Sequence, residues 1–257
     1  MVSSRWTPEQ LTLAFHLYCQ LPFGKLHSRN SEIIELARLI GRTPSAVAMK
    51  LVNFASLDPA IASSGRRGLG NASQADREIW DEFHANWDDL VDQATSLRIL
   101  LSPNDDHELS MADRLDSEQD FRGDTRITPV RQRVKQSFFR RAVLSSYGGK
   151  CCVSGVSDKR LLVASHIVAW SEDASIRLHP GNGLCLSAIH DKAFDSHLFS
   201  LTDDYRVLLS GQLEQTHDDF LRQIFWPVDG LQIKLPERFR PEIEFLRRHR
   251  NRMLHQD

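Results

Sequence analysis

Two histidines and one asparagine lie within 25 residues of the chain, and their placement constrains the fold more than any other feature. His166 follows an apolar run, Asn182 comes sixteen residues later, and His190 comes eight residues after that. Residues 161–164 have the pattern of a buried strand bounded by charged residues, and residues 188–194 that of a helix start. The segment therefore predicts a strand, a loop, a strand or turn, and then a helix.

Four short motifs surround these residues in a fixed order. They are Tyr147-Gly148-Gly149-Lys150-Cys151-Cys152-Val153-Ser154-Gly155, Ala164-Ser165-His166-Ile167, Asn182-Gly183-Leu184 and His190-Asp191-Lys192-Ala193-Phe194-Asp195. Together they resemble the HNH endonucleases, and specifically a bacterial subgroup with this pattern, from about residue 130 to residue 209. The resemblance implies a ββα-metal fold that hydrolyses DNA phosphodiester bonds and leaves 5′-phosphates.

Each of the three residues suits one part of that chemistry. An imidazole titrates near neutral pH, so His166 is the candidate base that activates a water molecule. A divalent cation, Mg²⁺ or Mn²⁺, would neutralise the charge that develops on the phosphate, and His190 is its candidate ligand. Asn182 does not titrate, but its side chain can fix a histidine tautomer or hold a loop, so we assign it an orienting role. These three residues are the candidate catalytic set.

The chain departs from many relatives at two places. Ser165 stands directly before the candidate base, where relatives carry a carboxylate or a second histidine, so part of the metal coordination must come from elsewhere. Asp195, five residues after His190, is the preferred second metal ligand, and Asp191 is a weaker one. A helix-capping or salt-bridged carboxylate is the alternative role for Asp195. The two Cys-x-x-Cys pairs that hold zinc in many relatives are incomplete here, so we expect no structural zinc and buried thiols instead.

Charge is unevenly distributed along the chain, although the net charge is only −2. Residues 126–160 carry nine basic residues and one acidic residue, whereas residues 71–125 carry four basic and fifteen acidic residues. The basic stretch falls on a predicted helix that ends near Gly148, directly before the HNH-like motifs, where contacts to DNA phosphates would be needed. A solvated helix face is the alternative interpretation. The candidate DNA contacts on this helix are Arg131, Arg133, Arg140 and Arg141.

The organisation expected from the sequence is an α+β protein with two domains. Residues 1–95 predict a helical domain, residues 96–128 an acidic linker, and residues 129–257 a ββα-metal HNH nuclease domain with flanking helices and a C-terminal extension. Helix caps are expected at Thr7, at Asn30 or Ser31, and at Thr43. Ser73 is expected to cap a fourth helix that continues past Trp87 and carries an outward acidic face.

The second and third predicted helices are joined by a connection as short as that of a helix-turn-helix. The third helix would then present Lys50 and Asn53, flanked by Arg42, and these three residues are candidate DNA contacts. Packing or oligomerisation is the alternative role for these helices.

The remaining composition suggests a compartment and partners. The chain has no apolar run of eighteen residues, no signal-like start and only four cysteines, so we expect a soluble cytoplasmic protein without a membrane partner. The expected function is a metal-dependent DNA endonuclease of restriction or defence, with DNA as partner. A homodimer is expected if both strands are cut, because one single-metal centre cuts one strand. The alternatives are a DNA-binding module or regulator with an inactive HNH fold, and a mobile-element nuclease.

Overall fold

The computed structural model describes residues 5–63, 71–102 and 129–255, with side chains from residue 131 onward in the last range. The chain divides into two compact units, Met1–Ser146 and Tyr147–Asp257. Among the described residues of the first unit, the secondary structure is helical. The second unit combines helices with two small antiparallel sheets. The predicted linker begins inside a helix that runs to Leu101, and most of it, residues 103–128, lies outside the described residues.

The first unit is built on helices, four of which begin directly after the predicted capping residues. The helices are α1 (Pro8–Gln20), α2 (Ser31–Leu39), α3 (Pro44–Ala55), α4 (Pro59–Ser63), α5 (Gln74–Ala85), α6 (Trp87–Leu101) and α7 (Pro129–Ser146). The side chains of Thr7, Asn30, Thr43 and Ser73 accept hydrogen bonds from backbone N–H groups in the first turns of α1, α2, α3 and α5, which confirms these four caps.

Helix α1 forms the centre of the first unit. Its residues are buried on nearly all sides, which is typical of a helix surrounded by other helices. The Phe15 ring lies 5.1 Å from the ring of Phe54, 5.6 Å from that of Trp80 and 6.0 Å from that of Trp87, measured between centroids. These rings come from α3, α5 and α6, so one aromatic cluster joins α1 to three other helices.

The fourth predicted helix is two helices in the structure. Asn86 separates α5 from α6 with φ of −150° and ψ of 86°, which lies outside the helical region. Its side chain accepts a hydrogen bond from the backbone N–H of Asp89 and so caps α6. The apolar stripe continues from Phe83 to Trp87 across the break, which is why periodicity alone predicted one helix.

The acidic residues of α5 and α6 do not all face outward as predicted. Asp76 is fully buried, and its Oδ1 lies 2.6 Å from Nζ of Lys50. Nζ of Lys135 lies 2.6 Å from Oδ1 of Asp88 and 3.1 Å from Oδ2 of Asp92. The burial of these ammonium groups requires charged partners close by, and the acidic segment supplies them.

Helix α7 belongs to the first unit, although the sequence placed its residues at the start of the nuclease domain. Lys135 is paired with the two aspartates of α6, and Phe138 packs with its ring centroid 5.0 Å from that of His16 on α1. The physical reason is that α7 has an apolar side and a basic side that both match surfaces of the helical unit. The boundary between the two units therefore lies at Ser146 rather than at residue 129.

The second unit begins with a turn and two paired strands. Its elements are β1 (Leu162–His166), β2 (Gly183–Ser187), α8 (Ala188–Asp195), β3 (Phe199–Leu201), β4 (Val207–Leu209), α9 (Gly211–Glu214), α10 (Asp219–Phe225) and α11 (Ile243–Leu254). Strands β1 and β2 are antiparallel, with Leu162 opposite Ser187 and His166 opposite Gly183. Helix α8 packs on both strands, so the ββα arrangement implied by the resemblance is present.

The length and the apolar character of a helix decide whether it can cross a membrane. Within the described ranges, the structure contains no helix that is both long and apolar enough to cross a bilayer.

The Lys50–Asp76 pair generates a prediction about stability. We expect Lys50→Ala to lower the free energy of unfolding by about 3–5 kcal/mol, because it leaves a fully buried carboxylate without its ammonium partner. Arg131→Ala is the matched control: its side chain is 61% exposed, so loss of its bond to Asp92 should cost no more than about 1 kcal/mol. Urea denaturation followed by circular dichroism measures the free energy of unfolding of both variants. Equal losses of stability would contradict the assignment of Lys50 and Asp76 as a buried ion pair.

Candidate active site

His166 ends strand β1 and is held by a peptide carbonyl of the following loop. Its Nε2 lies 3.0 Å from the carbonyl oxygen of Arg177. Because a carbonyl only accepts hydrogen bonds, the proton of the neutral imidazole resides on Nε2, and Nδ1 is the basic nitrogen. Burial lowers the pKa of His166 to about 4, although the bond to Arg177 acts in the opposite direction. The imidazole is therefore neutral, and able to accept a proton, throughout the physiological range.

Asn182 holds the loop between β1 and β2 rather than the imidazole itself. Its side chain is fully buried. Its Oδ1 accepts a hydrogen bond from the N–H of Val168 at 2.8 Å, and its Nδ2 donates to the carbonyl of Val168 at 3.0 Å and to that of Ile176 at 3.4 Å. Its carbonyl also accepts from the N–H of Ile167 at 2.9 Å. Asn182 thus fixes the chain on both sides of the loop, next to the candidate base.

The C-terminal segment packs against the other end of this loop. The N–H of Glu242 donates to the carbonyl of Gly181 at 3.1 Å. A Cβ atom at position 181 would lie 2.9 Å from the carbonyl oxygen of Arg240. The ring of His179 meets that of Phe245 edge-on at 5.7 Å between centroids. Glycine at 181 is therefore required by close backbone approach and not by its φ angle.

Helix α11 also binds the two carboxylates of the loop. Arg248 reaches Oε1 of Glu172 at 2.8 Å and Oδ2 of Asp173 at 3.1 Å, and Arg252 reaches Oε2 of Glu172 at 2.6 Å. A hydrogen bond from Ser175 and the bond from Arg248 lower the pKa of Asp173. The negative charge of the loop is therefore neutralised on the side that faces α11.

His249 connects α11 to the end of α8. Its Nε2 donates to the carbonyl of Phe194 at 3.0 Å, so the Ser200 hydroxyl must donate to its Nδ1, at 2.9 Å. The imidazole stacks on the Phe194 ring with 3.7 Å between centroids. Burial lowers its pKa to about 3. One helix thus contacts both the loop that follows the candidate base and the helix that carries His190.

His190 lies in the first turn of α8 and is 3% exposed. Its Nδ1 lies 2.7 Å from the Ser187 hydroxyl, which orients the ring. Its Nε2 is buried and has no hydrogen-bond partner in the described part of the chain. A buried imidazole nitrogen normally has a partner, so this atom is suited to coordinate a metal ion while Ser187 supports the other nitrogen. Burial lowers the pKa of His190, which favours the neutral form that metals bind.

The structure separates the two metal ligands expected from the sequence. Asp195 is the last residue of α8 and is exposed, whereas His190 is buried in its first turn. Five residues advance a helix by about 7.5 Å and rotate it by about 140°, so the two side chains leave α8 in different directions. Asp191 is half-buried, and burial raises its pKa. Within the described ranges, no three His, Cys, Asp or Glu side chains are grouped closely enough to hold a metal ion.

The predicted contacts on α3 and its turn are engaged within the first unit. Lys50 is 7% exposed and paired with Asp76. The guanidinium of Arg42 donates to Oε1 of Gln10 at 2.9 Å and to the carbonyl of Arg5, and it lies over the ring of Trp6. Asn53 is half-buried. In this conformation the Lys50 ammonium cannot extend from α3 to DNA.

The predicted contacts on α7 differ among themselves. Arg131 bonds to Asp92 at 3.2 Å, and Arg141 pairs with Glu32. Arg140 is only 5% exposed, whereas Arg133 is exposed. The basic residues of α7 therefore mainly bind acidic groups of the same unit, which composition alone does not predict. Arg133 keeps the exposure that a phosphate contact requires.

Sequence reasoning missed three contributors to the site. Arg177 contributes its backbone carbonyl, and a pattern of side chains in the sequence cannot predict such a contact. Glu172 and His249 contact residues more than 50 positions away in the sequence, Arg248 and Phe194 respectively. The only sequence signal for these contacts was the set of four arginines in the final helix, which favours binding of acidic groups. The four cysteines are buried thiols, as predicted.

The comparison with protein families supports the assignment of this segment. Residues 151–202 match the family model described as HNH endonuclease. This range contains both strands, the loop, and helix α8, so the second unit contains an HNH endonuclease segment. No curated protein matches the chain.

Gly181 generates a second prediction. Gly181→Ala should lower the free energy of unfolding by about 1–3 kcal/mol, because the added methyl group would collide with the Arg240 backbone. Gly24→Ala is the matched control, since its Cβ would meet open space, and it should change stability by less than about 0.5 kcal/mol. Differential scanning calorimetry compares the two. Equal stability of both variants would mean that the C-terminal segment does not pack on the loop.

The lowered pKa of His166 generates a third prediction. We expect its imidazole proton signals to titrate near pH 4 in NMR spectra, with the resonance assigned from a His166→Gln variant. The unfolded chain has the ordinary value of 6.5 and binds the proton first. The contribution of His166 to stability is therefore complete above pH 6.5 and is lost as the pH falls through about 4. A midpoint near 6.5 in the folded protein would contradict the half-buried, carbonyl-bound placement of the His166 ring.

Proposed function

We propose that the chain is a metal-dependent DNA endonuclease in which His166 is the general base. The observation that carries the proposal is the bond between His166 Nε2 and the Arg177 carbonyl, since it makes Nδ1 the proton acceptor. The match of residues 151–202 to HNH endonucleases supports the reaction class. Restriction or defence is the biological setting we propose, because the nuclease segment follows a separate helical unit on which Arg133 keeps the exposure that a phosphate contact requires.

The residues around His190 fit a divalent cation such as Mg²⁺ or Mn²⁺. The Nε2 atom of His190 offers a buried nitrogen with no partner in the described structure, and Asp191 offers a carboxylate at the next position. Such an ion would neutralise charge on the phosphate and the leaving oxygen. Mg²⁺ usually retains several waters and takes few protein ligands, which agrees with the small number of donors here.

The protein's own residues prepare the attack on the phosphate. His166 takes the proton of the attacking water at Nδ1. The Arg177 carbonyl keeps the ring in the required tautomer and stabilises the imidazolium that forms. Asn182 holds the loop so that this carbonyl stays in place. For double-strand cleavage we propose that two copies act on opposite strands, since one such centre cuts one strand.

Replacement of the base tests the proposal. His166→Ala should reduce plasmid cleavage in Mg²⁺ or Mn²⁺ by at least about 100-fold while DNA binding is retained, because general bases contribute about 10²–10⁴ to rate. His217→Ala is the matched control, since His217 is exposed on a loop of the same unit and should leave cleavage unchanged. Retained cutting by His166→Ala would remove the base assignment.

The alternative is a DNA-binding module or regulator with an inactive HNH fold. Ser165 in place of a ligand, and the lack of a three-ligand group among the described residues, favour it. Incubation of supercoiled plasmid with the wild-type chain and Mg²⁺, Mn²⁺ or chelator separates the two functions. Nicking that requires the metal supports the enzyme, whereas binding without nicking in every condition supports the module.

A further inference from the structure

We propose that the Ser165 hydroxyl is a ligand of the divalent cation that His190 and Asp191 would hold, a proposal that rests on the metal-dependent function proposed above. Ser165 lies in β1, directly before the candidate base, and is 2% exposed. Its Oγ is buried and takes part in no hydrogen bond within the described ranges. Because a buried hydroxyl normally has a partner, this oxygen is suited to bind an ion.

His190 carries a second buried atom of the same kind. This histidine lies in the first turn of α8, which packs on both β1 and β2. The Ser187 hydroxyl lies 2.7 Å from its Nδ1, whereas its Nε2 has no hydrogen-bond partner in the described part of the chain. The strand and the helix that packs on it therefore each present one buried polar atom. A single ion bound to both atoms would offset the cost of burying them.

Asp191 relates the strand to the helix. It follows His190 in the first turn of α8 and is half-buried. Burial raises the pKa of the Asp191 carboxyl, and the nearby Ser165 hydroxyl acts in the opposite direction. The hydroxyl is thus close to the carboxylate, although the two do not form a hydrogen bond of normal geometry. Ser165 therefore faces the first turn of α8, which carries both of the other donors.

A nitrogen, a carboxylate and a hydroxyl form a ligand set that suits a small divalent cation. Serine and threonine hydroxyls bind Mg²⁺ in phosphate-transferring enzymes, and imidazole favours Mn²⁺ and other transition metals. The described residues contain no group of three His, Cys, Asp or Glu side chains that could hold a metal, and a serine would supply the third ligand without belonging to those types. The set carries only one negative charge, so we expect weak binding and a preference for Mn²⁺ over Mg²⁺.

Metal binding to the full chain tests the role of this hydroxyl without a cleavage assay. Electron paramagnetic resonance measures free Mn²⁺ as the ion is added to metal-free protein. Ser165→Ala should raise the Kd for Mn²⁺ at least about 10-fold, as does the loss of other groups that support a metal site. Ser165→Asp should lower that Kd at least about 10-fold, because it adds a negative charge to the ligand set. Ser157→Ala is the matched control: Ser157 is exposed on the loop that precedes β1, and the Kd should not change.

The variant Ser165→Cys tests direct contact between this position and the ion. A thiolate bound to Co²⁺ gives a charge-transfer band in the near ultraviolet, so this variant should show the band when Co²⁺ is added. The wild type should not show it, since its four thiols are buried. Addition of His190→Ala to the same variant should remove most of the band, because both side chains would hold one ion. Ser157→Cys is the matched control and should not produce the band.

Thermal stability separates a metal ligand from a purely structural residue. Because the Ser165 hydroxyl is buried without a partner among the described residues, Ser165→Ala should not lower the Tm of the metal-free protein in chelator. Addition of Mn²⁺ should raise the Tm of the wild type more than that of the variant, since the ion stabilises the form that binds it. A large fall in Tm in chelator, with an unchanged Kd for Mn²⁺, would mean that Ser165 only supports the fold and would overturn the proposal.

The outcomes distinguish this proposal from the nuclease function. An unchanged Kd in Ser165→Ala, together with no charge-transfer band in Ser165→Cys, would overturn the ligand role while metal-dependent cleavage by the wild type stands. Absence of Mn²⁺ binding to the wild type would overturn the ligand role as well. If the wild type binds Mn²⁺ through Ser165 and His190 but does not cleave DNA, the nuclease function fails and the ligand role stands.

Discussion

The buried side chain of Asn182 is the interaction on which the candidate site depends. Its amide bonds both the N–H and the carbonyl of Val168, and it reaches the carbonyl of Ile176 as well. A loop of this length would otherwise sample many conformations, at an entropic cost of about 1–2 kcal/mol for each residue that must be ordered. The loop also carries the Arg177 carbonyl that sets the tautomer of His166. A single uncharged residue thus converts a flexible connection into a fixed partner for the candidate base.

Charge has a different use in each unit. In the first unit, lysines and arginines of α3 and α7 bind aspartates and glutamates of neighbouring helices, and two buried pairs involve Lys50 and Lys135. In the second unit, arginines of α11 bind the carboxylates of the loop beside His166. In both cases the pairs hold elements that are distant in sequence. The net charge of a sequence segment therefore does not identify what the segment binds when residues of opposite charge are present elsewhere in the same unit.

The local features of the fold could be predicted from the sequence, and the distant ones could not. The cap at Thr7 and the helix after Ser187 depend on neighbouring residues, and the structure confirms both. The break at Asn86 was missed because the apolar stripe continues across it. Asp195 was predicted as a ligand from its spacing after His190 alone. That prediction did not include the rotation of the helix, which turns the Asp195 side chain away from His190. The contacts of Glu172 and His249 join residues more than 50 positions apart, and no spacing rule reports such pairs.

The second unit extends well beyond the segment that matches the HNH endonuclease family. The match ends at residue 202, yet α11 supplies the arginines that bind the loop and the histidine that binds the end of α8. Gly181 admits the Arg240 backbone at a distance that no larger residue would allow. A segment of about 50 residues can bury only a small core by itself, so a further layer is needed to hold its strands, loop and helix. Helix α11 provides that layer, and the geometry at His166 therefore depends on residues that lie far outside the motif that contains it.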